Sequence, residues 1–171
     1  MDNIILIGFM GCGKTSVGMR LAERLAFRFS DTDRIIEEGC KKSISSIFAE
    51  EGEEFFRKLE TNTIKGLIGR LTDTVLSVGG GLPVKEENAG LLRQLGQVVY
   101  LKASRETIRK RLAGDTTRPL LSGEQAEEKT DALLKFRTPI YEAAAHITVT
   151  TDGRKFDDII DEIIRRTGVN P

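Results

Sequence analysis

The sequence predicts a three-layer α/β domain built on a parallel sheet, and three observations lead there. Short apolar runs that read as buried strands alternate with segments whose apolar residues recur at helical spacing, the pattern of repeated βα units. Residues 8–15, Gly8-Phe9-Met10-Gly11-Cys12-Gly13-Lys14-Thr15, set two glycines with four residues between them ahead of Lys and Thr, between such a strand and such a helix. The 171 residues are enough for one domain with a full core and too few for two, so residues 1–171 are expected to form a single domain.

Taken in order, Asn3 to Ile7 is an apolar run of the kind buried on both faces of a parallel sheet. Val17, Leu21 and Leu25, beside Ala22 and Ala26, form the buried stripe of the helix that follows. Phe27 to Asp33 reads as a short strand ending in two acids, with a helix beginning around Arg34. Ser43 is a suitable N-cap for a short helix carrying Ile44, Ile47 and Phe48, and Gly52 separates that helix from a longer one running from Glu53 to about Gly69. Thr74 to Val78 is a buried strand that leads into Gly79-Gly80-Gly81-Leu82-Pro83. A helix follows with Leu91, Leu92 and Leu95, ending at Gly96, and then the strand Gln97 to Leu101. Ser104 caps a helix to about Leu112, and residues 112–123 break the pattern as a candidate lid. The helix from about Glu124 to Ala145 contains Pro139, which is expected to kink or interrupt it. The strand Ile147 to Thr150 and an amphipathic helix bearing Phe156, Ile159, Ile160, Ile163 and Ile164 close the chain. No internal repeat, low-complexity segment or interdomain linker interrupts this order.

Composition narrows the function. Lys plus Arg and Asp plus Glu are 26 each, so the net charge is zero and no surface for nucleic acid is implied. The first strand starts within a few residues of Met1, no apolar run approaches the ~18 residues of a membrane span, and a cytoplasmic protein is expected. Cys12 and Cys40 lack the spacing of a zinc site or disulfide scaffold. A thiol beside a helix N-terminus can be easily alkylated, although Cys12 reads mainly as a small loop residue. His146, the one histidine, opens a strand and reads as structural.

The glycine-rich run can wrap its backbone N–H groups around a polyphosphate at a helix N-terminus, with Lys14 reaching the β- and γ-phosphates and the Thr15 hydroxyl offered to Mg²⁺. Its glycines do not follow the Gly-x-Gly-x-x-Gly order of dinucleotide folds. On a strand Asp31 and Asp33 would point the same way, toward the sheet edge where α/β folds bind ligands. One could serve Mg²⁺ through water and the other a hydroxyl about to be phosphorylated; alternatively Asp33 caps the next helix. Arg57 beside Phe56 could grip a carboxylate in a pocket walled by Phe48 and Phe56, but Glu53 four residues earlier makes a surface ion pair the plainer reading of the pattern. Gly79, Gly80 and Gly81 form a simple turn or a second ligand-facing backbone edge. Arg111 and Arg118 flank the lid tip, where an arginine could close on a γ-phosphate, and Pro139 could aim Arg137 inward.

Taken together, Gly8 to Thr15, Asp31-Thr32-Asp33, Phe56-Arg57 with Glu60, Gly79-Gly80-Gly81, Arg118-Pro119-Leu120-Leu121 and Arg137-x-Pro139-x-Tyr141 stand in an order that resembles the shikimate kinase family over nearly the whole chain. The resemblance implies a P-loop kinase fold like that of nucleoside monophosphate kinases. Its five-stranded parallel sheet has the order 2-3-1-4-5, with a substrate-binding helical insert at about 34–60 and the lid at about 112–123. It implies phosphorylation of the shikimate 3-hydroxyl by ATP with Mg²⁺, in a monomer. Asp33 would bind the substrate hydroxyls and act as base, and Arg57 and Arg137 would hold the carboxylate, with Gly79, Gly80 and Gly81 completing the pocket. Gly11, Cys12, Gly13, Lys14, Thr15 and Ser16 would bind the nucleotide. Lys14 and Arg118 would contact phosphates, and Arg111 and the turn around Arg154 would lie by the adenine. Thr15 would ligate Mg²⁺ directly and Asp31 through its water shell. Two competing readings are a kinase of another hydroxylated acid, such as a gluconate-type kinase, and a binding module that uses its P-loop as a switch.

Overall fold

The computed structural model describes residues 2–113 and 125–170. Strands β1 (Ile4–Ile7), β2 (Arg28–Asp31), β3 (Thr74–Ser77), β4 (Gln97–Lys102) and β5 (Ile147–Thr150) form one sheet in the order β2-β3-β1-β4-β5, with every pairing parallel. The connecting helices are α1 (Lys14–Leu25), α2 (Thr32–Cys40), α3 (Ile44–Leu67), α4 (Glu86–Leu95), α5 (Arg105–Leu112), α6 (Ala126–Ala144) and α7 (Phe156–Thr167). The predicted strand order and the predicted alternation of strand and helix are both present. No helix among the described residues is long and apolar enough to cross a membrane.

All four residues of β1 and all four of β3 are buried, as expected of central strands covered on both faces. Asn3 ties the opposite edge of the sheet together: its amide donates to the carbonyls of Leu71 and Leu95, and its side-chain oxygen accepts from Thr74 N–H. His146 is likewise structural, with Nδ1 accepting from Val98 N–H at 2.9 Å.

Register explains where ligands can bind. Ser77 of β3 pairs with Leu6 of β1 on one side and with Asp31 of β2 on the other. The glycine-rich loop after β1, the acids after β2 and the glycine run after β3 therefore leave the sheet at one level, from its carboxyl edge.

Three local expectations change. The second strand ends at Asp31, because the Asp31 side chain accepts from Asp33 N–H at 2.8 Å and Arg34 N–H at 3.4 Å and so caps α2. Asp33 therefore stands in the first helical turn and is neither a strand residue nor the cap. Pro139 does not interrupt α6, which runs through it to Ala144. At Gly52, by contrast, α3 does break as predicted, with φ 84° and ψ 172° between two helical segments. The lid expected at about 112–123, with Arg118, falls almost wholly outside the described residues.

Candidate active site

Gly11 and Gly13 take φ of 80° and 97°, values that L side chains rarely adopt, and the loop so formed delivers its N–H groups to the start of α1. Lys14 folds back over this loop, donating from Nζ to Gly8 O at 2.7 Å and Phe9 O at 3.2 Å. Those carbonyls are replaceable partners for a cation whose stronger acceptor would be a phosphate. Thr15 and Ser16 are exposed at the mouth of the loop. The Cys12 side chain is 0% exposed and packed into the core, as suits a small loop residue and not an easily alkylated thiol.

The loop forms one end of a cavity of about 420 Å³. Asp31 and Asp33, Gly79, Gly80 and Gly81, and Phe48, Phe56, Arg57 and Glu60 line the same cavity. The two phenylalanine rings lie 4.9 Å apart, packed with Ile36 and Ile47, so the helices inserted after β2 have a small core of their own facing the sheet edge.

The glycines are spaces that side chains occupy. A Cβ on Gly79 would stand 2.8 Å from Asp33 Oδ1 and 2.9 Å from Glu60 Oε2, and one on Gly81 would overlap the Arg57 guanidinium. Thr32 Oγ1 accepts from Gly79 N–H at 3.0 Å, and Asn88 Nδ2 donates to Leu82 O at 2.9 Å, which holds both ends of the glycine run.

Arg57 satisfies both readings of its position. It donates to Glu53 Oε1 at 3.2 Å, the surface pair, and through Nη1 to Glu60 Oε1 at 2.7 Å inside the cavity. Glu60, only 1% exposed, is the residue whose role the sequence left unassigned. Burial pushes its carboxyl up to about 7; Arg57 opposes that shift, Asp33 adds to it and Arg137 opposes it. Its place three residues after Arg57 on one helix face was the available signal.

Arg137 is 3% exposed, with Cζ 5.8 Å from the Phe9 ring centroid. It does not line the first cavity; it lines a second, of about 600 Å³, together with Arg57 and Gly81, which border both. The two arginines thus converge at the Gly81 end. Two arginines expected near the adenine have these partners. Arg111 Nη1 donates to Gly11 O at 3.0 Å, so its guanidinium lies on the P-loop. Arg154 is held by Thr150 O at 2.9 Å and Glu162 Oε2 at 2.7 Å against α7, and it lines neither cavity.

A family profile described as shikimate kinase matches residues 10–167. A shikimate kinase of Geobacter metallireducens is 44% identical over 161 residues, covering 94% of this chain and 89% of its own. The chain belongs to the shikimate kinase family. Among solved structures, a shikimate kinase from Acinetobacter baumannii in complex with shikimate superposes with a TM-score of 0.92 at 40% identity, over 97% of this chain and 92% of that one. A gluconokinase from Sinorhizobium meliloti gives a TM-score of 0.60 at 17% identity over 98% and 94% of the two chains, a likeness of fold alone.

Within this shikimate kinase pocket Glu60 makes the fold pH-dependent. Its folded pKa lies above the ordinary carboxyl value of 4.5, so the folded state keeps the proton that the unfolded chain releases. Its contribution to stability is therefore full below about 4.5 and falls as pH rises toward about 7, beyond which it is flat. Thermal melts from pH 4.5 to 8 are expected to show this decline in the wild type and a flatter profile in Glu60→Gln. Identical profiles would remove Glu60 as the source. Gly81→Ala is expected to raise the KM for an acid acceptor at least about tenfold by displacing the Arg57 guanidinium, one charged hydrogen-bonding partner of the ligand. An unchanged KM in steady-state kinetics would show that the guanidinium can move aside without loss.

Proposed function

We propose that this chain transfers the γ-phosphoryl group of ATP to the 3-hydroxyl of shikimate, giving shikimate 3-phosphate and ADP on the route to chorismate and the aromatic amino acids. The observation that carries this reading is that one cavity is lined by the P-loop, by Asp33 and by the Arg57–Glu60 pair. A nucleotide phosphate and an acidic acceptor would meet across Asp33.

Each residue then has a task. Lys14 exchanges its loop carbonyls for the β- and γ-phosphates, and the N–H groups of residues 11–16 hold the same oxygens. Arg57 and Arg137 fix the acceptor carboxylate, which orients the ring and brings its hydroxyl to Asp33. The hydroxyl oxygen forms the new bond to the γ-phosphorus as the bond to the β,γ-bridging oxygen breaks. The hydroxyl proton passes to the Asp33 carboxylate, and ADP leaves with the bridging electrons. Phe48 and Phe56 cover the apolar face of the ring and exclude water.

The donor set fits Mg²⁺. Among the described residues no cluster of three or more His, Cys, Asp or Glu could hold a metal by itself, whereas Thr15 and Asp31 both line the cavity. One hydroxyl and one carboxylate, completed by phosphate oxygens and water, is the environment Mg²⁺ favours, and the ion would neutralise charge on the β- and γ-phosphates. Arg118 would add a positive charge to the transferring group. The nucleotide set keeps the P-loop and Arg111, with Arg154 contributing through its backbone turn. The reading treats residues 1–171 as one kinase domain and expects it to act as a cytoplasmic monomer.

A coupled ADP-release assay with ATP and Mg²⁺ tests the proposal. ADP should appear with shikimate and stay at the background rate with gluconate. ADP release that ignores shikimate, or that prefers gluconate, would replace this reading with one of its rivals.

A further inference from the structure

Helix α6 carries Arg137 and, one turn later, Tyr141. Tyr141 is 0% exposed, and its ring packs on Tyr100 at 5.2 Å between centroids. Its hydroxyl donates to the Gly80 carbonyl at 2.5 Å. Burial pushes the phenol well above its ordinary pKa, against the opposing pull of the neighbouring Arg137 guanidinium. Gly80 in turn has three neighbours in ordinary contact range: a Cβ there would stand 3.5 Å from Arg137 Nη1, 3.5 Å from Met10 N and 3.6 Å from Gly8 O. P-loop backbone, middle glycine and α6 therefore meet at one point.

The Gly80 carbonyl and the Gly81 N–H belong to the same planar peptide unit and point in opposite directions. A bond that fixes the carbonyl on the α6 side also fixes where the N–H is aimed. Gly81 borders both cavities, beside Arg57 and Arg137. We infer that Tyr141 is a positioning residue for acceptor recognition: through the Gly80 carbonyl it aims the Gly81 N–H, and through α6 it keeps that N–H in register with Arg137, so that both meet the acceptor carboxylate together. This rests on the shikimate kinase reading of the carboxylate site given above.

Tyr141→Phe keeps the ring and removes the donor. The shikimate KM is expected to rise about 5- to 30-fold, the range for losing one well-placed recognition contact, with kcat and the ATP KM within about twofold. Tyr100→Phe is the control, because that ring lies in the same core while its hydroxyl bonds to Thr138. It should leave the shikimate KM unchanged. A Tyr141→Phe enzyme with wild-type KM, differing only in melting temperature, would overturn the inference and leave the kinase reading standing; a wild type inactive on shikimate would overturn both.

A measurement on the unmutated chain guards against a variant that fails to fold. The sequence has two tyrosines, so 3-fluorotyrosine labelling gives two fluorine resonances. Saturating shikimate should shift the Tyr141 resonance and leave the Tyr100 resonance in place. If neither moves while shikimate is turned over, Tyr141 does not sense the acceptor and the inference falls.

Discussion

Asp33→Asn is expected to lower kcat by about 10²- to 10⁴-fold while leaving the shikimate KM within a few-fold, the range assigned to a positioned general base. The substitution is nearly isosteric, so the packing of Asp33 Oδ1 over Gly79 is preserved. An amide can still accept a hydrogen bond from the acceptor hydroxyl, which maintains binding, but it cannot take the proton released when the new phosphorus–oxygen bond forms. Single-turnover kinetics at saturating ATP and shikimate isolate that step from product release. A variant with wild-type kcat would limit Asp33 to binding and leave positioning and charge neutralisation as the whole of catalysis.

Arg57→Ala should do the opposite, raising the shikimate KM about 10- to 100-fold with a much smaller change in kcat. Hydrogen bonds to charged groups are worth roughly 1.5–3 kcal/mol, and Arg57 would supply a charge-assisted one to the acceptor carboxylate. The same change strands Glu60, which is 1% exposed and has Arg57 as its 2.7 Å partner. With the guanidinium gone, the Glu60 carboxyl should hold its proton above the present value of about 7. The mutant's melting temperature should therefore fall most steeply on the alkaline side of neutrality. Isothermal titration with shikimate gives the affinity directly, and an unchanged affinity would remove Arg57 from the acid-binding site.

The parts of this account that the sequence made legible are those that local rules determine. The P-loop lies within eight consecutive residues, and the strand before it and the helix after it each announce themselves by period. Ser43 and Ser104 are the predicted caps, with side chains accepting from Ser46 N–H and Thr107 N–H. Asp33 lines the expected cavity by a different local route, from the first turn of α2 and not from a strand. Alternation along a strand was invoked, but the Asp31 cap converts the segment to helix one residue later, and the tighter helical rise still brings both acids to the cavity.

What stayed hidden depends on contacts across long sequence separations. Glu60 sits in an ordinary run of charged helix residues, and only the fold reveals that its face turns toward Asp33 and Gly79. The link from Tyr141 to Gly80 spans 61 residues, and nothing near either one hints at it. The Arg154 guanidinium is a further case, since its ion pair with Glu162, eight residues on, is not announced by the sequence around it. Arg57 lay between these cases, because the i,i+4 pattern with Glu53 is real and coexists with its role inside the cavity.

The central claim is that the phosphate cradle and the acid pocket face each other across Asp33. A crystal structure of this chain with ADP, Mg²⁺ and shikimate tests it most directly. The account predicts the shikimate carboxylate between Arg57 and Arg137 beside Gly81, with the 3-hydroxyl within hydrogen-bond reach of Asp33 and directed at the β-phosphate over Lys14. Shikimate bound with its carboxylate away from both arginines, or with its 3-hydroxyl turned from the nucleotide, would contradict it.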